Sequence, residues 1–192
     1  MYVSRTGWTG ELGYEIYSDG ATTDHKRLWN HVIEAGSSHG MIYGSMTSMG
    51  MRRIEAGILD NISDFDVSMS PFQAGLGRFI DPDKEGFIGR EALLEMDRRS
   101  LLLGLKCGTA TPEERGEIRE GSVAVGHVTA ASWSPTLNSG IGYVRFYESK
   151  DWIGRTLALA TGVSEMAPCE IVELPFYDAE KRIPRGIEKP IP

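Results

Sequence analysis

The sequence predicts an α+β chain, in which a mixed α/β region is followed by an all-β region that closes as a compact barrel or sandwich. Three observations carry this expectation. Helical periodicity is confined to residues before about 98. After that point short β-rich runs recur, separated by Gly and Pro turns. The 192 residues, 41% hydrophobic and 24% charged, have an ordinary globular composition and length enough for a real core. The expected division is therefore residues 1–98 and 99–192.

The elements follow in order. Residues 1–20 read as a strand–turn–strand unit, with Tyr14 to Tyr17 alternating and Ser18-Asp19-Gly20 ending the run. Thr22 or Thr23 caps a helix reaching about Ala35, with Gly36 at its C-terminal end. Leu28, Trp29, Val32 and Ile33 form its apolar stripe, which makes Trp29 a core residue. A second helix runs from Ser45 to Ala56 and is closed by Gly57. Residues 60–66 form an acidic loop, and Ser70-Pro71-Phe72 begins a short helix or turn. Residues 76–80 read as a strand, and 81–86 as a turn. A third helix covers Glu91 to about Arg98, with Ala92, Leu93 and Met96 inward. Strands are expected at 101–107, 123–129, 141–146, 156–160 and 170–174, and the tail from Tyr177 reads as draped or frayed.

Composition excludes several function classes. The net charge of −7 argues against a general nucleic-acid or anionic-membrane binder. No run of apolar residues is long enough to cross a membrane as a helix. The N-terminus is not a signal peptide. Cys107 and Cys169 lie in apolar runs, where a free cysteine behaves as a small hydrophobe, and the chain reads as cytoplasmic. Neither these two nor His25, His31, His39 and His127 show metal-ligand spacing.

The stretch that carries chemistry is Ser4 to Tyr17. Gly7, Gly10 and Gly13 fall at steps of three, with Glu11 between the last two. Glycines let a backbone turn with positive φ and approach another surface closely. A carboxylate beside them can accept hydrogen bonds from a flat ligand bearing N–H donors. The same spacing also describes a tight hairpin with a surface glutamate. It is not a phosphate loop, because no Gly-Lys-Ser/Thr occurs and a strand follows in place of a helix. Further on, Arg52 and Arg53 sit near a helix C-terminal end. Beside Glu55 they describe a surface Arg–Glu pair unless an anionic ligand lies nearby.

Several segments together resemble the glycine cleavage T-protein (aminomethyltransferase) family. They are residues 4–15, where the family usually has tyrosine at the Trp8 position, then Arg53-Ile54-Glu55-Ala56-Gly57, Ser70-Pro71-Phe72 and residues 87–93. Ser134-Pro135-Thr136-Leu137, Gly142-Tyr143-Val144 and Leu174-Pro175-Phe176 complete the set, in matching order through nearly the whole chain. The resemblance implies a fold in which an α/β region precedes a C-terminal antiparallel β-barrel. It implies tetrahydrofolate as the cofactor and a small-molecule one-carbon donor as the other reactant. In the family the glutamate of the glycine-rich motif binds the folate ring, which carries over to Glu11; Trp8 and Tyr14 are candidate walls beside it, against the plain reading of aromatics packed in half-buried strands. Met49 stands where family aminomethyltransferases have a ligand-contacting arginine; Arg53 or Arg52 is the candidate replacement, at an offset that does not carry over directly. Arg182 or Lys181 is the candidate for the folate's glutamate tail, against the plain reading of a solvated terminus.

The forms Arg52 to Gly57 and Leu174 to Gly186 look more like the family's folate-dependent demethylase branch, which moves methyl groups to tetrahydrofolate. The chain resembles the C-terminal half of such an enzyme. The family's N-terminal half supplies the acidic residue at the reacting carbon, so no catalytic residue is named here. Such a half reads as a truncated gene product, a subunit completed by an N-terminal-half partner, or a fragment whose exposed apolar surface leads to a homo-oligomer or aggregation. The rival reading is a non-catalytic folate-binding or interaction module.

Overall fold

The computed structural model describes residues 1–160 and 166–189. Strands β1 (Tyr2–Ser4) and β2 (Glu15–Tyr17) pair antiparallel, with Tyr2 opposite Tyr17. The glycine-rich loop runs between them. Helix α1 (His25–Ser37) is capped by Asp24, whose side chain accepts from the Arg27 N–H, one or two residues past the threonines expected in that role. Helix α2 (Met46–Glu55) starts at Ser45, as its capping chemistry predicts, and its C-terminal turn leads into Gly57 at φ +69°. Helix α3 (Arg90–Glu95) is short.

Strands β3 (Leu102–Lys106), β4 (Glu117–Glu120), β5 (Val123–Ser134), β6 (Ser139–Phe146), β7 (Thr156–Ala160) and β8 (Met166–Val172) form a closed antiparallel barrel in the order β3-β6-β5-β4-β7-β8. The barrel reading is thus correct, and the sandwich alternative falls. Alternation along the strands builds two cores. Leu103, Leu105, Val144 and Phe146 point inward, where Phe146 stacks on Trp152 at 4.4 Å. Leu102, Ile141 and Tyr143 point outward, against Ile54 of α2 and against Leu174 and Phe176 of the C-terminal segment. Both faces of β3 and β6 are therefore buried, and α2 is fixed to the outside of the barrel. The Tyr143 hydroxyl lies 3.1, 3.0 and 3.2 Å from the carbonyls of Arg53, Ile54 and Ile58. With one proton it donates to one of the three at a time, adding to the N–H bonds that Ile58 and Gly57 already make to Arg53 and Ile54 and tying the end of α2 to β6.

Five expectations need correction. Residues 77–79 form a 3-10 turn and no strand, because Phe79 and Ile80 return their N–H groups to Leu76 and Gly77. Helix α3 ends at Glu95, and Ala92 and Met96 are exposed, since so short a helix has no core to lie on. Strand β4 was not expected: of Glu-Ile-Arg-Glu only Ile118 turns into the barrel. Trp29 is 53% exposed and meets Tyr43 edge-on; no residue of α1 is buried. The apolar stripe is real, but no element among the described residues covers it. The tail docks firmly. Ile183 is buried, Asp178 accepts from the N–H groups of Arg182 and Ile183, and Lys181 Nζ donates to the Ala56 carbonyl at 2.5 Å. The end of the predicted tail, residues 190–192, lies outside the described residues.

Candidate functional site

Gly10 seats the glycine-rich loop. Its φ is +72°, and a Cβ there would stand 2.4 Å from the Ala56 Cβ at the end of α2. Gly7 has nothing within 4 Å and Gly13 no contact under 3.8 Å, so one of the three glycines is required by packing. Gly10→Ala is expected to cost about 2 kcal/mol or more, and Gly7→Ala less than about 0.5 kcal/mol, in a denaturant titration. Gly57 plays the matching part on the other side, where a Cβ would stand 2.9 Å from the Pro175 Cα. The glycine loop, the end of α2 and the Leu174-Pro175-Phe176 segment therefore meet at one point.

Glu11 is delivered to that point. Arg52 on α2 bridges its surroundings: Nη2 donates to Glu11 Oε1, and Nη1 donates to Glu55 Oε2 at 2.8 Å and to Thr136 Oγ1 at 3.0 Å. Glu55 Oε1 accepts from Ser134 Oγ at 2.5 Å and from the Thr136 N–H at 3.3 Å. Ser134 ends β5 and Thr136 lies in the turn that leads to β6, so the barrel supplies the base of the cluster. Burial opposes the charge on Arg52, yet Tyr177, Glu55 and Glu11 outweigh it and hold the guanidinium above its ordinary range. The expected surface Arg–Glu pair is corrected here: Glu55 is fully buried.

Two buried side-chain atoms in this cluster have no hydrogen-bond partner, Glu11 Oε2 and Tyr177 Oη. Burial pushes the Tyr177 phenol up against the opposing pull of Arg52, with Glu55 and Glu11 adding to the rise. A carboxylate oxygen fixed on one side and unmatched on the other can accept an N–H from a bound molecule.

The other sequence-predicted residues are placed differently. Trp8 lies on the same loop and is partly exposed, and Tyr14 is 66% exposed. Arg53 faces away from Glu11: its Nη1 donates to Asp64 Oδ2 at 2.8 Å and to the Ile58 carbonyl at 3.1 Å. Consecutive helix residues point about 100° apart, so only one of the two arginines can reach the glycine loop. Arg182 pairs with Glu188 and Glu180 within the C-terminal segment itself. Sequence reasoning missed Asp64, which is fully buried and also accepts from the Asp60 N–H and Thr129 Oγ1. It missed Tyr177 too, whose only signal was its position directly after Leu174-Pro175-Phe176. Among the described residues no group of His, Cys, Asp and Glu is arranged to hold a metal ion, and no helix is long and apolar enough to cross a membrane.

Fold and site together define an α+β protein whose glycine loop presents a carboxylate over the outer face of a six-stranded barrel. Comparison with known families agrees. Residues 1–84 match the GCVT N-terminal domain, and residues 98–178 match the glycine cleavage T-protein C-terminal barrel domain. The chain belongs to the glycine cleavage T-protein family. An aminomethyltransferase of Halothermothrix orenii is 37% identical over 182 residues, covering 92% of this chain and 50% of that protein. A trimethylamine-oxide aldolase of Ruegeria pomeroyi is 35% identical over 194 residues, covering 97% of this chain and 24% of that protein. The crystal structure of the glycine cleavage system aminomethyltransferase T from Bartonella henselae superimposes with a TM-score of 0.76 at 20% identity, over 91% of this chain and 49% of that one. That likeness concerns the fold. The chain spans about half the length of the curated aminomethyltransferases it matches.

Proposed function

We propose that this chain is the pterin-holding and barrel part of a tetrahydrofolate-dependent one-carbon transferase, with residues 1–98 as the folate-binding region and 99–192 as the barrel domain. The observation that carries the reading is the unmatched, buried Glu11 Oε2, held in place by Arg52. A pterin offers a ring N–H and an exocyclic amino group side by side, which suits a carboxylate acceptor. Arg52 still leaves Oε1 with acceptor capacity, so both donors find a partner. The residues present fit the cofactor on that test. Tetrahydrofolate supplies a nucleophilic nitrogen that takes up the one-carbon unit. The part of this chain is to bind and orient, which is how such a reaction gains most of its rate.

The donor we favour carries a methyl group. Met49 in place of the family's arginine supports it, as does the demethylase-like form of Arg52 to Gly57. The two free, buried cysteines support a reducing compartment such as the cytoplasm. The exposed apolar side chains Tyr2, Val3, Ile16, Trp29, Ile42 and Tyr43 support a complementing half, or a second copy, that covers β1, β2 and α1. A paired two-stranded ribbon is marginal alone, which is a further reason for such a cover. The same surface also favours the rival reading, a binding module that regulates a partner. Adding tetrahydrofolate at 100 times its Kd is expected to stabilise the chain by about 2.7 kcal/mol in a thermal or denaturant unfolding experiment. No stabilisation at millimolar ligand overturns the proposal. Turnover of an aryl methyl ether or a sulfonium donor, once the complementing half is present, separates enzyme from module.

A further inference from the structure

Glu11 Oε2 and Tyr177 Oη are the two side-chain atoms among the described residues that are buried without a hydrogen-bond partner. Both gather at the C-terminal end of α2: Arg52 donates to Glu11, and Tyr177 lies two residues past Pro175, whose Cα would stand 2.9 Å from a Cβ at Gly57. They come from opposite ends of the chain: one from the glycine loop, the other from the segment that follows Pro175. An unmatched buried hydroxyl destabilises a fold, and native structures keep few of them. Two in one cluster are best explained by a bound molecule that matches both. Their chemistry is complementary, since a carboxylate can only accept, whereas a phenol can also donate.

We propose that Tyr177 is a ligand-contacting residue beside Glu11, its hydroxyl donating to a carbonyl oxygen of a flat heterocycle whose adjacent N–H is taken by the carboxylate. This rests on the reading that Glu11 holds the pterin, and it names the second polar edge of that site. A lactam places an N–H next to a carbonyl, so the pair selects that edge. Tyr177 lies next to Phe176, which stacks on Tyr143 with planes 13° apart, so the barrel's outer core orients the segment that carries the hydroxyl.

Tyr177→Phe tests this. Removing the hydroxyl takes away no bond that the free chain makes, so the melting temperature without ligand is expected to stay level or rise. Tetrahydrofolate affinity, read by calorimetric titration of the same chain, is expected to fall roughly 2- to 10-fold. A lower melting temperature of the free variant would show that the hydroxyl already has a partner, and would overturn the proposal. Glu11→Gln is measured in parallel. Loss of binding in Glu11→Gln with unchanged affinity in Tyr177→Phe removes the role of Tyr177 and leaves the pterin reading standing. Unchanged binding in Glu11→Gln, or no binding by the unmodified chain, removes both.

Discussion

Glu55→Ala is expected to lower the stability of the folded chain by about 3–5 kcal/mol, seen as a drop in denaturant midpoint at unchanged slope. The carboxylate is fully buried and both its oxygens are hydrogen-bonded, to Arg52 on one side and to Ser134 at the end of β5 and Thr136 just after it on the other. Truncation leaves a half-buried guanidinium short of one carboxylate, and leaves the Ser134 hydroxyl and the Thr136 N–H without their acceptor. Glu55→Gln offers only partial rescue, because whichever way the amide turns its NH2 meets a donor, the Arg52 guanidinium on one side or the Thr136 N–H on the other. The exposed pair Arg119–Glu117 is the control. There the same truncation of Glu117 is expected to cost less than about 1 kcal/mol, since solvent screens both charges. Similar losses at the two sites would mean that burial does not set the strength of the Glu55 cluster.

What the sequence made legible follows the range of the forces involved. Helix α2 was readable from end to end because its signals are local: Ser45 accepts from the Ser48 N–H three residues on, and Gly57 takes the positive φ that ends the helix. The β-rich second half was readable from its runs of branched and apolar residues. Strand β4 was not, since a strand with one inward residue looks like a charged loop. Residues 77–79 misled for the opposite reason: a short apolar run becomes a strand only beside a partner, and here the chain bonds back on itself. The apolar stripe of α1 showed which face is meant to be covered, not by what, and Trp29 stayed exposed.

The candidate site divides in the same way. Glu11 could be found from its motif. That Arg52 and not Arg53 would reach it depends on how α2 sits on the barrel, a long-range fact that Tyr143 and Ile54 decide. Tyr177 had no signal of its own, because its burial comes from a tail that docks through Lys181 and Ile183. Three of the resemblance motifs meet at the end of α2, where Gly10 lies against Ala56, Gly57 lies against Pro175, and Lys181 donates to the Ala56 carbonyl.

Glu11→Gln is expected to weaken tetrahydrofolate binding by roughly 100- to 3,000-fold, measured by calorimetric titration of the same chain. Two charge-assisted hydrogen bonds in a desolvated site are worth about 3–5 kcal/mol together. The amide keeps the shape of the carboxylate, and its oxygen can still accept from Arg52. Its nitrogen then carries two hydrogens where Oε2 offered lone pairs, and it meets an N–H of the ligand donor to donor. The free chain is expected to lose less than about 1 kcal/mol, because the Arg52–Glu11 pair is partly exposed, at 24% and 19% for the two side chains. One guanidinium thus holds two carboxylates with different duties. Glu55 is matched on both oxygens and holds α2 to the barrel, so its loss is read in stability. Glu11 is matched on one oxygen and open on the other, so its loss is read in binding. A Glu11→Gln variant that binds tetrahydrofolate as before would place the pterin elsewhere, and the unmatched oxygen would then serve a different donor.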